Sequence, residues 1–281
     1  RIETHRITTR AGDIQVITLP WLTRSALLAR QDTEGLSMAE VSQLLIERLT
    51  VVLEGEIRQL DPELPTVLLG HLMVDNATYG AERFLATGKG FTIPLALLTR
   101  DAFDYVALGH VHRHQVLSEQ PLVVYPGSIE RVDFGEEKEE KGYCWVQISK
   151  GETRFAFCPL AARPFRTVQI DVTEASDPQA ALLKAIAAAN INDAITRLIY
   201  RFRLDQIAQI DDRALHEALA IAHNYTIVPE AIDQAKRARL PDLSTAEALD
   251  PISALQAYLS TREDLRNSEP ALMQAAREMM G

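Results

Sequence analysis

Three histidines carry the most specific chemical signal in this sequence. His110 and His112 stand two apart after Gly109, and His71 follows Gly70 in a second unit of the same form. Neutral imidazole is a good ligand for manganese, iron, zinc and similar metals. In extended backbone, residues two apart project to the same side, so His110 and His112 can present two ring nitrogens to one pocket. A pair of this spacing is weak on its own, because the bland reading is an exposed loop pair. Context strengthens it. Each Gly-His step ends a short apolar run, Val67-Leu68-Leu69 in one case and Tyr105-Val106-Ala107-Leu108 in the other. Such runs read as buried strands. Ligands gather at the carboxyl ends of strands in open sheets, so the two units predict three imidazoles at one sheet edge.

Several further elements must position those histidines. Residues 14–19 read as a strand ending at Pro20-Trp21. Ser37 with Glu40 three residues on is a capping box. Val41, Leu44, Leu45, Leu49, Val52 and Leu53 then recur at helical spacing, which predicts a helix running to about residue 60 before Asp61-Pro62 stops it. Strand, helix and a second strand at 66–69 form a β-α-β unit with the two strands parallel. Residues 93–98 read as a further short strand, and Asp104 precedes the buried one. After the histidines, residues 122–124, 143–148 and 153–158 read as strands, with turns at Gly127, 139–142 and Lys150-Gly151. Tyr143, Trp145 and Gln147 alternate with Cys144, Val146 and Ile148, as in a sheet buried on one face.

Through these residues the chain resembles the calcineurin-like metallophosphoesterases. His71 in its strand-Gly-His unit and the Gly109-His110-Val111-His112 block look like the last two motifs of that superfamily. The run from Tyr125 to Lys138, with Pro126-Gly127-Ser128-Ile129-Glu130-Arg131, narrows the resemblance to the bacterial SbcD family, nuclease subunits of SbcCD exonucleases. The stretch from His71 to Asn76 and the Ala81-Glu82-Arg83 segment are similar to the same family. The resemblance spans the chain and is strongest over residues 67–142.

The family's first three metal motifs, an Asp-x-His, a Gly-Asp-x-x-Asp and a Gly-Asn-His-Asp, are not in this sequence. The chain therefore reads as the carboxyl-terminal part of such a protein, without the bridging aspartate, the Asn ligand and the histidine that assists the leaving group. Only His71, His110 and His112 carry over as metal ligands, with His112 serving one ion and His71 with His110 the other. No residue is assigned a catalytic role. The resemblance implies an α/β fold: the second half of a two-sheet metallophosphoesterase sandwich, a small α+β capping domain and C-terminal helices. It implies two divalent ions, manganese above others, and ATP-gated hydrolysis of DNA ends and hairpins by exonuclease or endonuclease action. Its partners would be DNA and an SbcC-type ATPase, with dimerisation left open. The rival readings are a scaffold that binds DNA and the ATPase without cutting, and another calcineurin-like phosphoesterase.

Composition sets the outer bounds. The chain has 281 residues, 47% apolar and 24% charged, the profile of an ordinary globular protein. No apolar run reaches the roughly 18 residues needed to span a bilayer, and no basic-then-apolar leader opens the chain. Cys144 and Cys158 fit reduced cysteines in a cytoplasmic protein better than a disulfide. A formal charge of −10 argues against non-specific coating of nucleic acid, but leaves room for a local basic groove.

Four units follow in order: residues 1–162 as the nuclease part, 163–230 as the capping domain, 231–249 as a linker and 250–281 as a partner-binding tail. The capping segment alternates strand, helix, strand, helix, strand at 165–172, 178–189, 196–204, 212–222 and 224–228, with Ser176 or Asp177 capping its first helix. In its middle strand Leu198, Tyr200, Phe202 and Leu204 face one way, and Arg197, Arg201 and Arg203 the other. Three guanidinium groups on one face can form a phosphate track, or simply a solvated face paired with carboxylates. Arg131 can meet a DNA phosphate, or pair with Glu130 or Asp133. Asp75 and Asn76 read as loop residues rather than oxygen ligands, and His114 as an exposed loop residue. In the linker stand the basic Lys236-Arg237-Ala238-Arg239 and a Pro241-Asp242 break. In the tail, Ile252, Leu255, Tyr258 and Leu259, then Leu272, Met273, Ala276, Met279 and Met280, mark two short amphipathic helices. They must dock on a partner or on this chain.

Overall fold

Alternating apolar side chains build a six-stranded sheet with both faces covered. The computed structural model describes residues 2–23, 27–28, 33–80, 91–232, 251–260, 265 and 269–280. Strands β1 (Glu3–Thr9) and β2 (Gly12–Leu19) form a hairpin. Helix α1 (Met38–Ile57) then crosses to β3 (Thr66–His71), which pairs parallel to β2. Strands β4 (Met73–Val74) and β5 (Thr92–Ile93) form a separate small parallel pair. Strand β6 (Tyr105–Gly109) returns to the main sheet beside β3, followed by β7 (Gln115–Glu119) and β8 (Leu122–Tyr125). The order across the sheet is β1-β2-β3-β6-β8-β7, with four parallel central strands and an antiparallel strand at each edge.

Strand periodicity assigns side chains to the two faces. Ile17, Leu68, Val106, Val123 and Tyr125 point to one side, where Leu49 and Leu53 of α1 join them. Val67, Tyr105, Leu122 and Val124 point to the other, against Cys144, Val146, Ile148 and Phe155. Those last four belong to the ribbon β9 (Gly142–Ser149) and β10 (Glu152–Pro159). Asp104 fastens ribbon to sheet: its carboxylate accepts from the Thr66 and Gly151 backbone N–H groups, each at 2.7 Å. Ser37 and Glu40 form the expected capping box, and Val41, Leu45, Leu49 and Leu53 are the buried stripe. Each buried leucine contributes roughly 1.5–3 kcal/mol. Val52 lies outside the stripe at 38% exposure.

Three expectations about elements are corrected. The expected strand at 93–98 is a two-residue strand followed by a 3₁₀ turn at Leu95–Leu97, because Pro94 caps the turn and the Asp75 carboxylate accepts from the Leu95 N–H. The helix of α1 stops at Ile57, a turn earlier than expected. Strands β1 and β7 are additional.

The chain divides into two compact units: residues 1–167 with 191–196 and 221–224, and residues 168–190, 197–220 and 225–281. A three-stranded sheet has the order β11 (Phe165–Asp171), β12 (Ile195–Arg203) and β13 (Asn224–Ile232). Helices α2 (Pro178–Ala188) and α3 (Asp212–Leu219) belong to the second unit, with Asp177 and Asp211 capping them through their carboxylates. Leu198, Tyr200 and Phe202 are buried. Residues 231 and 232, expected in a linker, complete β13. The rest of that segment, with its Lys236–Arg239 cluster, and the Ala81-Glu82-Arg83 and Gly88-Lys89-Gly90 stretches lie outside the described residues. Helices α4 (Pro251–Ser260) and α5 (Glu269–Met280) pack on each other, with Leu259, Met273 and Ala276 buried. Among the described residues no helix is long and apolar enough to cross a membrane. The architecture is mixed α/β with several sheets.

Candidate metal centre

The carboxyl ends of β2, β3 and β6 lie side by side. Leu19 pairs with Gly70, and His71 with Gly109. Trp21 follows the first strand, His71 ends the second and His110 follows the third. The register alone therefore gathers one indole and two imidazoles at one edge, where open parallel sheets bind ligands. The His71 and His110 ring centres are 5.3 Å apart with planes at 74°. Trp21 packs on both, tilted over His110 at 4.5 Å and edge-on to His71 at 5.9 Å.

Two backbone features make this approach possible. Gly109 leaves room for His71: a Cβ there would stand 3.0 Å from the His71 Nδ1. His110 itself has φ +97°, a left-handed conformation uncommon for a residue with a side chain. Such conformations cost roughly 1–3 kcal/mol and persist where surrounding structure enforces them. Here the chain turns sharply off β6 and carries the ring to its neighbour.

His112 is held differently. Its Nδ1 lies 2.8 Å from Oε1 of Glu136, whose side chain is 3% exposed. The other oxygen of that carboxylate meets the ammonium of Lys141 at 2.8 Å, and Lys141 is wholly buried. Burial pushes the Glu136 carboxyl up, but hydrogen bonds from Lys141, His112 and the Val132 N–H outweigh it and hold the group below the usual carboxylate range. Tyr125 anchors the loop after His71 by donating to the Leu72 carbonyl at 2.6 Å.

Of the three predicted ligands, His71 and His110 are brought together. Among the described residues no group of three or more His, Cys, Asp or Glu side chains gathers as a metal cluster. Two imidazoles could serve a borderline divalent ion such as Fe²⁺ or Zn²⁺, and by themselves they would be an incomplete coordination set, above all for the harder Mn²⁺.

The remaining candidates sort by their contacts. Arg131 is turned inward, donating to the carbonyls of Glu136, Glu139, Ala162 and Arg163 at 2.6–3.3 Å. Neither the phosphate contact nor the Glu130 or Asp133 pairing describes it, because a planar fork with five donors satisfies a knot of loop carbonyls better than any other side chain. On β12, Arg201 is exposed and faces Glu230 at 3.4 Å and Asp171 at 3.8 Å. Arg203 donates to the Thr173 carbonyl and pairs with Asp205, which raises the guanidinium above its ordinary value. Arg197, on the same strand face, is part-buried.

Asp75 caps the Leu95 turn, and Asn76 is exposed. His114 is part-buried rather than exposed: its Nδ1 donates to the Tyr125 carbonyl at 2.9 Å and its ring stacks on Phe157 at 4.2 Å. It lines a cleft of about 430 Å³ with Arg113, Lys138, Glu139 and Glu140. Cys144 and Cys158 are free thiols.

Trp21, Glu136 and Lys141 are the residues that sequence reasoning missed. Pro20-Trp21 at the end of a strand paired with the Gly-His strands was the available signal for the first. For the other two there was only their place in an acidic run. No family model matches the chain.

Proposed function

We propose that this chain carries the histidine-bearing part of a divalent-metal-dependent phosphodiesterase acting on DNA, the nuclease subunit of an ATP-gated repair complex. The observation that carries the reading is the convergence of His71 and His110 from separate segments to 5.3 Å between ring centres. His71 and His110 would hold one ion and His112 the second, with manganese favoured. Such ions stabilise the attacking and leaving oxygens of an in-line displacement at phosphorus. The chain's own part is to orient the imidazoles: Trp21 and Gly109 fix the His71–His110 pair, and Glu136 fixes His112.

In this reading the six-stranded sheet with its β9–β10 ribbon belongs to the second half of a two-sheet metallophosphoesterase sandwich. The unit carrying β12 is the capping domain, with Arg201 the guanidinium best disposed to meet phosphate. Helices α4 and α5 are the handle for an SbcC-type ATPase. A second reading, a scaffold that binds DNA and the ATPase without cutting, is favoured by the donor set itself. At the sheet edge two imidazoles meet an indole, and no third ligand joins them among the described residues.

Titration of the chain with MnCl₂ by calorimetry tests the first reading. Binding is expected, with the ion assigned to His71 and His110 held at least about tenfold more weakly in His71→Ala and in His110→Ala. Equal binding by wild type and both variants would remove the site. Manganese-dependent DNA cleavage, lost in His110→Ala, separates nuclease from scaffold.

A further inference from the structure

The segment from Ser128 to Lys141 is built around one histidine. The His112 carbonyl accepts from the Ser128 N–H and from the Lys141 ammonium, both at 3.0 Å. The same ammonium meets Glu136 at 2.8 Å and Glu139 at 2.9 Å. Glu136 receives the Val132 N–H on its second oxygen at 3.2 Å, which leaves Oε1 for the imidazole. Ring and backbone of His112 are thus held by a single buried charge network, with Lys141 wholly buried and Glu136 nearly so.

A carboxylate that is ionised can only accept. The nitrogen 2.8 Å from Glu136 must therefore be the one that carries hydrogen. In a neutral ring the lone pair then sits on the other nitrogen. The network supplies the compensation a buried carboxylate needs, because an unpaired charge is costly away from water.

We propose that Glu136, pinned by Lys141, is the positioning residue of His112: it accepts the hydrogen bond from Nδ1–H and so commits Nε2 as the atom that binds an external ligand, a divalent cation. The identity of that ligand rests on the function proposed above. The placement of the proton does not.

Two measurements separate the claims. In ¹⁵N-histidine-labelled full chain at a pH of about 8, above the ordinary imidazole range, long-range ¹H–¹⁵N spectra report each tautomer. His112 is expected wholly as the Nδ1–H form in the wild type, shifted toward Nε2–H in Glu136→Ala, and restored in Glu136→Gln, whose amide oxygen still accepts. The wild-type spectrum needs no variant, so a substitution that fails to fold does not shelter the claim. Finding Nε2–H in the wild type, or no shift in a folded Glu136→Ala, overturns it. The second measurement is Mn²⁺ affinity. Loss of such a supporting carboxylate lowers metal affinity by about 10–100-fold. Glu136→Ala and His112→Ala should both fall in that range. Unchanged affinity in Glu136→Ala overturns the ligand half. Absence of Mn²⁺ binding by the wild type overturns the metal reading and leaves the tautomer result to stand by itself.

Discussion

Trp21 lies 4.5 Å from His110, ring centre to ring centre, and meets His71 edge-on at 5.9 Å. The indole is thus the shared wall of the imidazole pair, and its emission should report on whatever those rings bind. Trp145, the only other tryptophan, is 63% exposed on the ribbon. In Trp145→Phe, Trp21 is the sole tryptophan, and excitation at its red edge spares the tyrosines. Adding Mn²⁺ is expected to quench it, with the midpoint found by calorimetry, since a paramagnetic ion on the neighbouring rings relaxes the excited indole. Trp21→Ala should lower Mn²⁺ affinity about tenfold, the size of effect seen when a supporting residue is lost. Emission indifferent to saturating Mn²⁺ would separate Trp21 from any metal site.

Gly109 and Gly127 separate site geometry from fold stability. At Gly109 the one tight approach of an added Cβ is to the His71 ring, at 3.0 Å, with the Gly70 carbonyl at an ordinary 3.9 Å, so a small shift of that ring relieves it. Gly109→Ala should cost less than about 1 kcal/mol of stability while weakening Mn²⁺ binding. At Gly127, φ is +83° and the added Cβ would stand 2.8 Å from the His112 carbonyl and from the His114 N–H nitrogen, both backbone. Neither can swing aside. Gly127→Ala should lose about 2 kcal/mol or more, read as a fall in the urea midpoint. Equal stability of the two variants would show that the close backbone at Gly127 yields as readily as the His71 ring.

What could be read from the sequence was whatever is local or strictly periodic. The Ser37–Glu40 capping box depends on four residues, and the buried face of β12 follows from its alternation. The Gly-His endings of β3 and β6 were legible because buried parallel strands are continuous apolar runs. Strand β1, reading Glu-Thr-His-Arg-Ile-Thr-Thr, was hidden because an edge strand with two exposed faces carries no apolar pattern. The partners of Arg131 were hidden for another reason. Its four carbonyl acceptors lie up to 32 residues away and are backbone atoms, which no sequence spells. The same holds for Lys141, whose burial in an acidic run looks from sequence like a solvated charge. Of the site itself, the sequence held the two imidazoles of the pair and Gly109 beside them, but neither the packing of Trp21 nor the Glu136–Lys141 contact.

Tyr105 gives the fold a pH limit. Burial, and then the neighbouring Cys144 thiol, push its hydroxyl from 10.0 up to about 12. Tyr125 moves in the same direction through burial. A group whose pKa is raised on folding contributes stability that is whole below its unfolded value and is lost as pH climbs through the folded one. Urea stability should therefore hold up to a pH of about 10 and fall steadily toward 12. Tyr105→Phe should flatten part of that fall. Absorbance at the tyrosinate band, measured in parallel, should show the Tyr105 and Tyr125 hydroxyls ionising later than the exposed ones. A variant that loses stability as steeply as the wild type would remove Tyr105 as the cause.

Arg201 and Arg203 stand two apart on one strand, yet their surroundings predict opposite results. Arg203 is spent within its own unit, donating to the Thr173 carbonyl and pairing with Asp205. Reversing its charge should lower stability before it touches DNA binding. The Arg201 side chain is 48% exposed, and its acidic neighbours stand at 3.4 and 3.8 Å. Exposed pairs of this kind are worth about 0–1 kcal/mol, so a phosphate can displace them at little cost. Arg201→Glu should leave the urea midpoint near wild type, weaken DNA binding similarly for all sequences, and reduce the salt slope of binding by about 1. An unchanged affinity and slope in that variant would show that Glu230 and Asp171, not DNA, are what the guanidinium is for.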